Sequence, residues 1–173
     1  MQFDQTVWLD RAERRLRNGT CAPDRHDADV RSIVSIGAVV SWCARRRVSV
    51  SFTRSPGAQY DDATRTIQVN GRLRPETQLH MLLHECGHHL VTSGTHGRFP
   101  RGYGAVGAVK RSTAHRIDVL DEELDAWDRG LRLARRLNLG VDSTRYADTR
   151  AKCVRSYALW VAKVEGYDDA WED

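Results

Sequence analysis

The segment His84-Glu85-Cys86-Gly87-His88 constrains this chain most. Its two histidines stand four residues apart. On an α-helix, positions i and i+4 are separated by about 40° around the axis, so both imidazoles point to one side and can share a divalent ion. The glutamate at i+1 is rotated by about 100°, close enough to reach a metal-activated water without ligating the metal itself. The flanks supply the helix that this geometry needs. Pro75 suits a first helical turn. Leu79, Leu82, Leu83, Cys86 and Leu90 fall on one apolar stripe. The pattern predicts a helix over 75–92, stopped at Ser93-Gly94. His84 and His88 lie opposite that stripe with Glu85 beside them, which predicts a polar triad facing a cleft. Gly87 costs about 1 kcal/mol against alanine inside a helix, which is explained if another backbone packs close there.

A catalytic zinc takes three protein ligands and keeps a fourth position open. The metzincin continuation would need glycine at 91 and histidine at 94; Val91 and Gly94 exclude it. His96 and His115 have no supporting pattern. The better candidates are Glu122 and Glu123, on a helix predicted over 113–137 and ended by Asn138-Leu139-Gly140. Ile117, Leu120, Leu124, Trp127 and Leu131 mark its core stripe. Glu122 groups with His115, Asp118, Asp125 and Arg129 on a polar, solvated side. Glu123 groups with Val119, Ala126 and Gly130 at the edge of the packed side. Small residues at 126 and 130 would let this helix approach the first one near Gly87. The predicted metal ligands are therefore His84, His88 and Glu123, with Glu85 as the catalytic general base. Two imidazoles and a carboxylate suit Zn2+.

Elsewhere the period predicts helices over 3–17 and 28–46, the second turning Ile33, Ile36, Val40 and Cys43 inward. Val48 to Thr53 alternates as a half-buried strand, Ser55-Pro56-Gly57 turns, and a second short strand spans 64–69. That strand could pair with an extended substrate by edge addition. Residues 94–112 read as a long loop, 144–164 as a last helix capped by Ser143, and 168–173 as an acidic tail. The fold class is α+β in a single domain over 1–173, with its core at about 45–137. Gly102 to Gly107 matches GxGxxG, but no strand precedes it, so it reads as a cleft rim and not as a dinucleotide loop. His80 reads as support for the metal site or as an exposed side chain, and His89 as structural. Cys86 and the tryptophans at 8, 42, 127 and 160 read as core.

With 40% hydrophobic and 29% charged residues, the 173-residue chain has enough apolar material for a core. The longest mostly apolar stretch, Ile33 to Ala44, is too short to cross a bilayer. The charged N-terminal segment predicts no secretory signal, and Cys21, Cys43, Cys86 and Cys153 form no CxxC pair, so reduced thiols and a cytoplasmic location are expected. Of 27 basic residues only Lys110, Lys152 and Lys163 are lysine, yet the net charge is just +4. Arg45-Arg46-Arg47 suits a helix C-terminus, so a nucleic-acid partner is disfavoured.

The HExxH segment followed by Glu123-Leu124-Asp125-Ala126 on a later helix resembles the gluzincin metallopeptidases. Small size and a preceding two-strand unit make it most similar to ImmA/IrrE-type domains. Those are cytoplasmic or phage-associated proteases, some of which cleave helix-turn-helix repressors. The resemblance covers roughly residues 45–137. It implies a zincin-like minimal metallopeptidase fold, hydrolysis of peptide bonds, and a protein or peptide substrate, a regulatory protein among the candidates. Related sequences often carry Asp or Asn directly after the alanine as support for a ligand; this chain has Trp127. Tyr103, His115, Tyr146 and Tyr157 are the candidate donors to a developing oxyanion. Two other functions compete: a non-catalytic interaction module stabilised by zinc, and an arginine-driven nucleic-acid binder that carries zinc.

Overall fold

The computed structural model describes residues 23–94, 99–103 and 112–162. The expected helix over 3–17, the acidic tail, Trp8, His96 and most of the GxGxxG segment lie outside these residues.

Helix α1 runs Pro23–Ala44, earlier at both ends than its periodicity suggested. It buries Ile33, Ile36, Val39, Trp42 and Cys43, while Val40 is only partly covered. Arg46 and Arg47 then turn the chain, with Arg46 N–H donating to Cys43 O and Arg47 in the left-handed region at φ 58°. The Arg46 guanidinium rests 4.1 Å above the Trp42 ring.

Strands β1 (Ser49–Thr53), β2 (Gln59–Asp61) and β3 (Thr66–Asn70) form one mixed sheet in the order β1-β3-β2. β1 runs parallel to β3, with Val50 opposite Ile67 and Phe52 opposite Val69. β2 runs antiparallel to β3, with Tyr60 opposite Ile67. Three-residue β2 has one apolar side chain and no period to read, so it escapes sequence analysis. Its presence corrects the placing of the second predicted strand. β3 is central, with both edges paired, and cannot take a substrate by edge addition. The edge toward the metal-site residues is β2. Asp61 Oδ1 accepts from Thr64 N–H at 3.2 Å, and Arg65, at φ 51°, completes the turn that starts β3 at Thr66 and not at Thr64.

Helix α2 (Pro75–Gly94) is the hub, with α1, the sheet, α3 and α4 all packed on it. Leu79, Leu82, Leu83 and Cys86 are buried as the stripe requires. Helix α3 (Thr113–Arg136) crosses α2 backbone against backbone. A Cβ at Gly87 would overlap the Ala126 carbonyl, and a Cβ at Gly130 would stand 2.5 Å from Leu83 O. Each helix thus contributes one glycine to the crossing. Close approach rotates α3 relative to its expected stripe. Its covered face carries Val119, Glu123, Ala126, Trp127, Gly130 and Leu133, whereas Ile117 is 44% exposed.

Helix α4 (Ser143–Val161) is capped by Asp142 and not by Ser143: the Asp142 carboxylate accepts from Thr144 N–H and Arg145 N–H. Tyr146 Oη donates to Trp127 O at 3.0 Å, and Arg116 Nη1 donates to Trp160 O at 2.8 Å, which ties both ends of α4 to α3. The architecture is α+β: four helices and a small three-stranded sheet among the described residues. No helix of the described residues is long and apolar enough to cross a membrane.

Candidate metal centre

One turn of α2 carries both imidazoles of the centre. His84 Nε2 and His88 Nε2 stand 3.2 Å apart, as the i, i+4 spacing requires. Helix α3 brings Glu123 over them, with Oε2 3.2 Å from His84 Nε2 and Oε1 3.4 Å from His88 Nε2. The glycine crossing makes this possible. A glutamate reaches both rings only because Ala126, three residues on, touches the backbone of α2 at Gly87. Glu122 turns elsewhere.

The three donor atoms form a triangle that fits one small ion. Bonds of about 2.0–2.1 Å in tetrahedral geometry place ligand atoms roughly 3.3 Å apart. His84 Nε2 stands 3.2 Å from His88 Nε2 and 3.2 Å from Glu123 Oε2, while the other carboxylate oxygen, Oε1, stands 3.4 Å from His88 Nε2; one atom from each residue lies within 4.8 Å of the other two. Among the described residues, His84, His88 and Glu123 form the group of acidic, histidine or cysteine side chains able to hold a metal ion. Glu85 Oε1 lies 4.0 Å from His84 Nε2, beside the triangle and not in it.

The expected cleft is not open on this side. α3 covers the polar face of α2, so His84 is 5% exposed, Glu85 3% and Glu123 3%. Burial governs the electrostatics. It raises the Glu85 pKa, against the opposing charges of the two histidines. Burial alone would raise the Glu123 carboxyl too, but hydrogen bonds from His84 and His88 outweigh it and hold the group well below the carboxylate range. Burial would likewise lower His88; the hydrogen bond to Glu123 and the charges of Glu123, Glu85 and Glu122 override it and hold His88 up to about 9.

This pair makes the metal-free protein pH-dependent. His88 is raised, so its contribution is full below an unfolded pKa of about 6.5 and is lost as pH rises through about 9. Glu123 is lowered, so its contribution is present above about 4.5 and is lost on acidification. His80 and His89, both lowered by burial, are already neutral above pH 7.5 and do not blur the alkaline limb. Chelator-treated protein should therefore lose stability between about pH 7.5 and 9.5, by at most about 3 kcal/mol. His88→Ala should flatten that slope in thermal melts. A melting temperature that climbs over this range would contradict the pairing.

Segment 99–103 packs along α3 at positions one turn apart. His115 Nδ1 contacts Arg101 O, Asp118 Oδ2 accepts from Arg101 N–H at 2.9 Å, and Glu122 Oε2 accepts from Tyr103 N–H at 3.1 Å. Glu122 is thus not on a solvated side: it is 6% exposed, its pKa raised by burial. The clamp delivers Tyr103, whose hydroxyl donates to Glu123 Oε1 at 2.9 Å. Tyr157 of α4 lies within hydrogen-bonding reach of both Tyr103 and Glu123. Lost hydration, together with the nearby carboxylate, raises both hydroxyls, so they stay protonated donors. Of the four oxyanion candidates, Tyr146 is spent on Trp127 O and His115 on Arg101 O; Tyr103 and Tyr157 face the centre.

Other groups support the site from outside. The backbone of Tyr60 on β2 lies near the Glu85 carboxylate and slightly offsets the upward shift that burial causes, an effect with no sequence signal because β2 has none. His89 is buried away from the pair, with Nδ1 2.9 Å from Tyr60 Oη. His80 is not exposed: it is 2% exposed, with Nδ1 2.9 Å from Thr149 Oγ1 on α4 and its ring edge-on to Tyr146. Cys86 is core, its Sγ 3.5 Å from Cys43 Sγ across the α1–α2 contact. Trp42 and Trp127 are core, and Trp127 also stacks on His84. No family model, curated protein or solved structure matches this chain.

Proposed function

We propose that this chain is a zinc-dependent metallopeptidase of the gluzincin type, with a zincin-like arrangement of sheet, HExxH helix and glutamate helix. The observation that carries the reading is the triangle of His84, His88 and Glu123 with the unligated Glu85 carboxylate next to it. Three protein ligands leave the open position that catalytic sites keep. Bound zinc would supply Lewis acidity toward water and the peptide carbonyl.

The protein groups divide the remaining work. Glu85, its pKa raised by burial, takes the proton from the attacking water and passes it to the leaving amine. The Tyr103 hydroxyl, delivered to the site by the clamp on segment 99–103, exchanges its bond to Glu123 Oε1 for the oxyanion that forms as water adds and donates its one proton there. Edge strand β2 offers its backbone to an extended substrate. The substrate is a protein or peptide, and the place of action the cytoplasm.

Glu85→Gln tests the reading. It keeps shape and hydrogen bonding and removes the base. Zinc content should stay stoichiometric while cleavage of fluorescein-labelled casein falls by about 10²–10⁴-fold. A variant that still cleaves at the parental rate would remove Glu85 from the chemistry. The depth of the site favours one other reading, in which zinc only holds α2 to α3. Unfolding by chelator together with no turnover of any substrate by the zinc-loaded parent would select it.

A further inference from the structure

We propose that Trp127 is the positioning residue for the His84 imidazole, fixing the ring for the metal by stacking where a hydrogen-bond acceptor would ordinarily do so. The inference rests on the metal reading above.

His84 turns Nε2 toward Glu123 and His88. For Nε2 to ligate, the ring proton must sit on Nδ1. A ligating histidine ordinarily donates that N–H to a carboxylate, a carbonyl or a water, which fixes the ring's rotation and makes it more basic. Here Nδ1 is buried and has no hydrogen-bond partner among the described residues. The Trp127 Nε1 is likewise buried with no partner among the described residues. Both are N–H donors, so neither can satisfy the other.

What touches His84 instead is a plane. The Trp127 indole lies 4.3 Å from the imidazole, centre to centre, at 18° between planes. Rotation about the His84 Cβ–Cγ bond would lift the imidazole off the indole. Trp127 cannot follow such a rotation. It is 0% exposed, Tyr146 meets its ring edge-on at 5.3 Å, and Tyr146 Oη holds its backbone carbonyl. Trp127 stands one helical turn after Glu123, so the same face of α3 provides both a ligand and the support for its neighbour. Stacking orients the ring without adding the basicity that an acceptor would confer.

The experiment compares the full chain with W127L, W127F and the core control L133A. Zn2+ affinity is read by competition with a chromophoric chelator, and ligand geometry from the visible absorption of the Co2+ form. W127L stays apolar but loses both the plane and part of the volume, and L133A controls for the loss of core volume. Its Zn2+ affinity should fall about 10–100-fold, the range for losing support of a metal ligand, and its Co2+ bands should shift. W127F should recover most of both. L133A should melt earlier and change neither. If W127L does not fold, W127M, which fills space flexibly without a ring, takes its place. Parental affinity and spectrum in the leucine or methionine variant would overturn the proposal. So would an equal loss in L133A, which would mean that any loosening of the core has the same effect. A parent chain that takes up no Zn2+ would instead sink the metal reading itself.

Discussion

Glu123→Ala should lose zinc about 10²–10³-fold, whereas Glu122→Ala should stay within about tenfold of the parent. Structural zinc binds with about 10–16 kcal/mol, which over four ligands is roughly 3 kcal/mol for each. Glu123 provides two oxygens, one facing each imidazole. Glu122 makes its hydrogen bond to Tyr103 N–H and acts on His88 through its charge alone, so its loss is felt as an outer support is felt. The stability cost of removing Glu123 has a ceiling. Deleting one partner of a buried ion pair costs about 3–5 kcal/mol when the other must stay charged. Here Glu123 is the main opposition to burial at His88, so its removal lets His88 shed its proton more readily, and the charges of Glu85 and Glu122 remain to offset what stays charged. Elemental analysis after dialysis and chelator competition measure the metal; melting measures the rest. Parental zinc affinity in Glu123→Ala, or loss confined to Glu122→Ala, would move the ligand assignment.

Gly87→Ala should damage fold and site together. Alanine gains about 1 kcal/mol of helix propensity over glycine. Against that, the new Cβ would overlap the Ala126 carbonyl, a backbone atom that no rotamer change can move aside. Overpacking costs about 1–3 kcal/mol where side chains can yield, and more where they cannot. The helices must therefore separate, and a net loss of about 2 kcal/mol would lower the melting temperature by roughly 4–8 °C in a domain this size. Separation also draws Glu123 away from His84 and His88, so zinc affinity should fall with the melting temperature. Gly130→Ala strikes the same crossing from the other helix, against Leu83 O. A more stable Gly87→Ala protein that binds zinc normally would show that propensity wins and that the crossing yields.

The chain's local patterns carried much of this. The spacing of Leu79, Leu82, Leu83 and Cys86 defines α2 and puts both imidazoles on one side of it, because helical period is a property of neighbours. Gly87 signals a close backbone, and the small residues at 126 and 130 show which edge of α3 could provide it. That argument selects Glu123 over Glu122, and it agrees with where the structure puts them. The same wheel misplaced Glu122, His80 and Ile117. Their burial depends on segment 99–103, on Thr149 of α4 and on the rotation of α3, none of which is a neighbour in sequence.

By itself, then, the sequence determined the elements whose signal repeats every few residues: among the described residues, four helices and two of three strands, with the paired imidazoles and the face of α3 that carries Glu123. Only the tertiary structure decided that β3 is central, that a three-residue strand lies along the edge, that Tyr103 is delivered to Glu123, and that an indole lies flat on His84. The reason is range. Periodicity reports which way a side chain leaves its own helix or strand, and it is silent on what another segment brings to meet it.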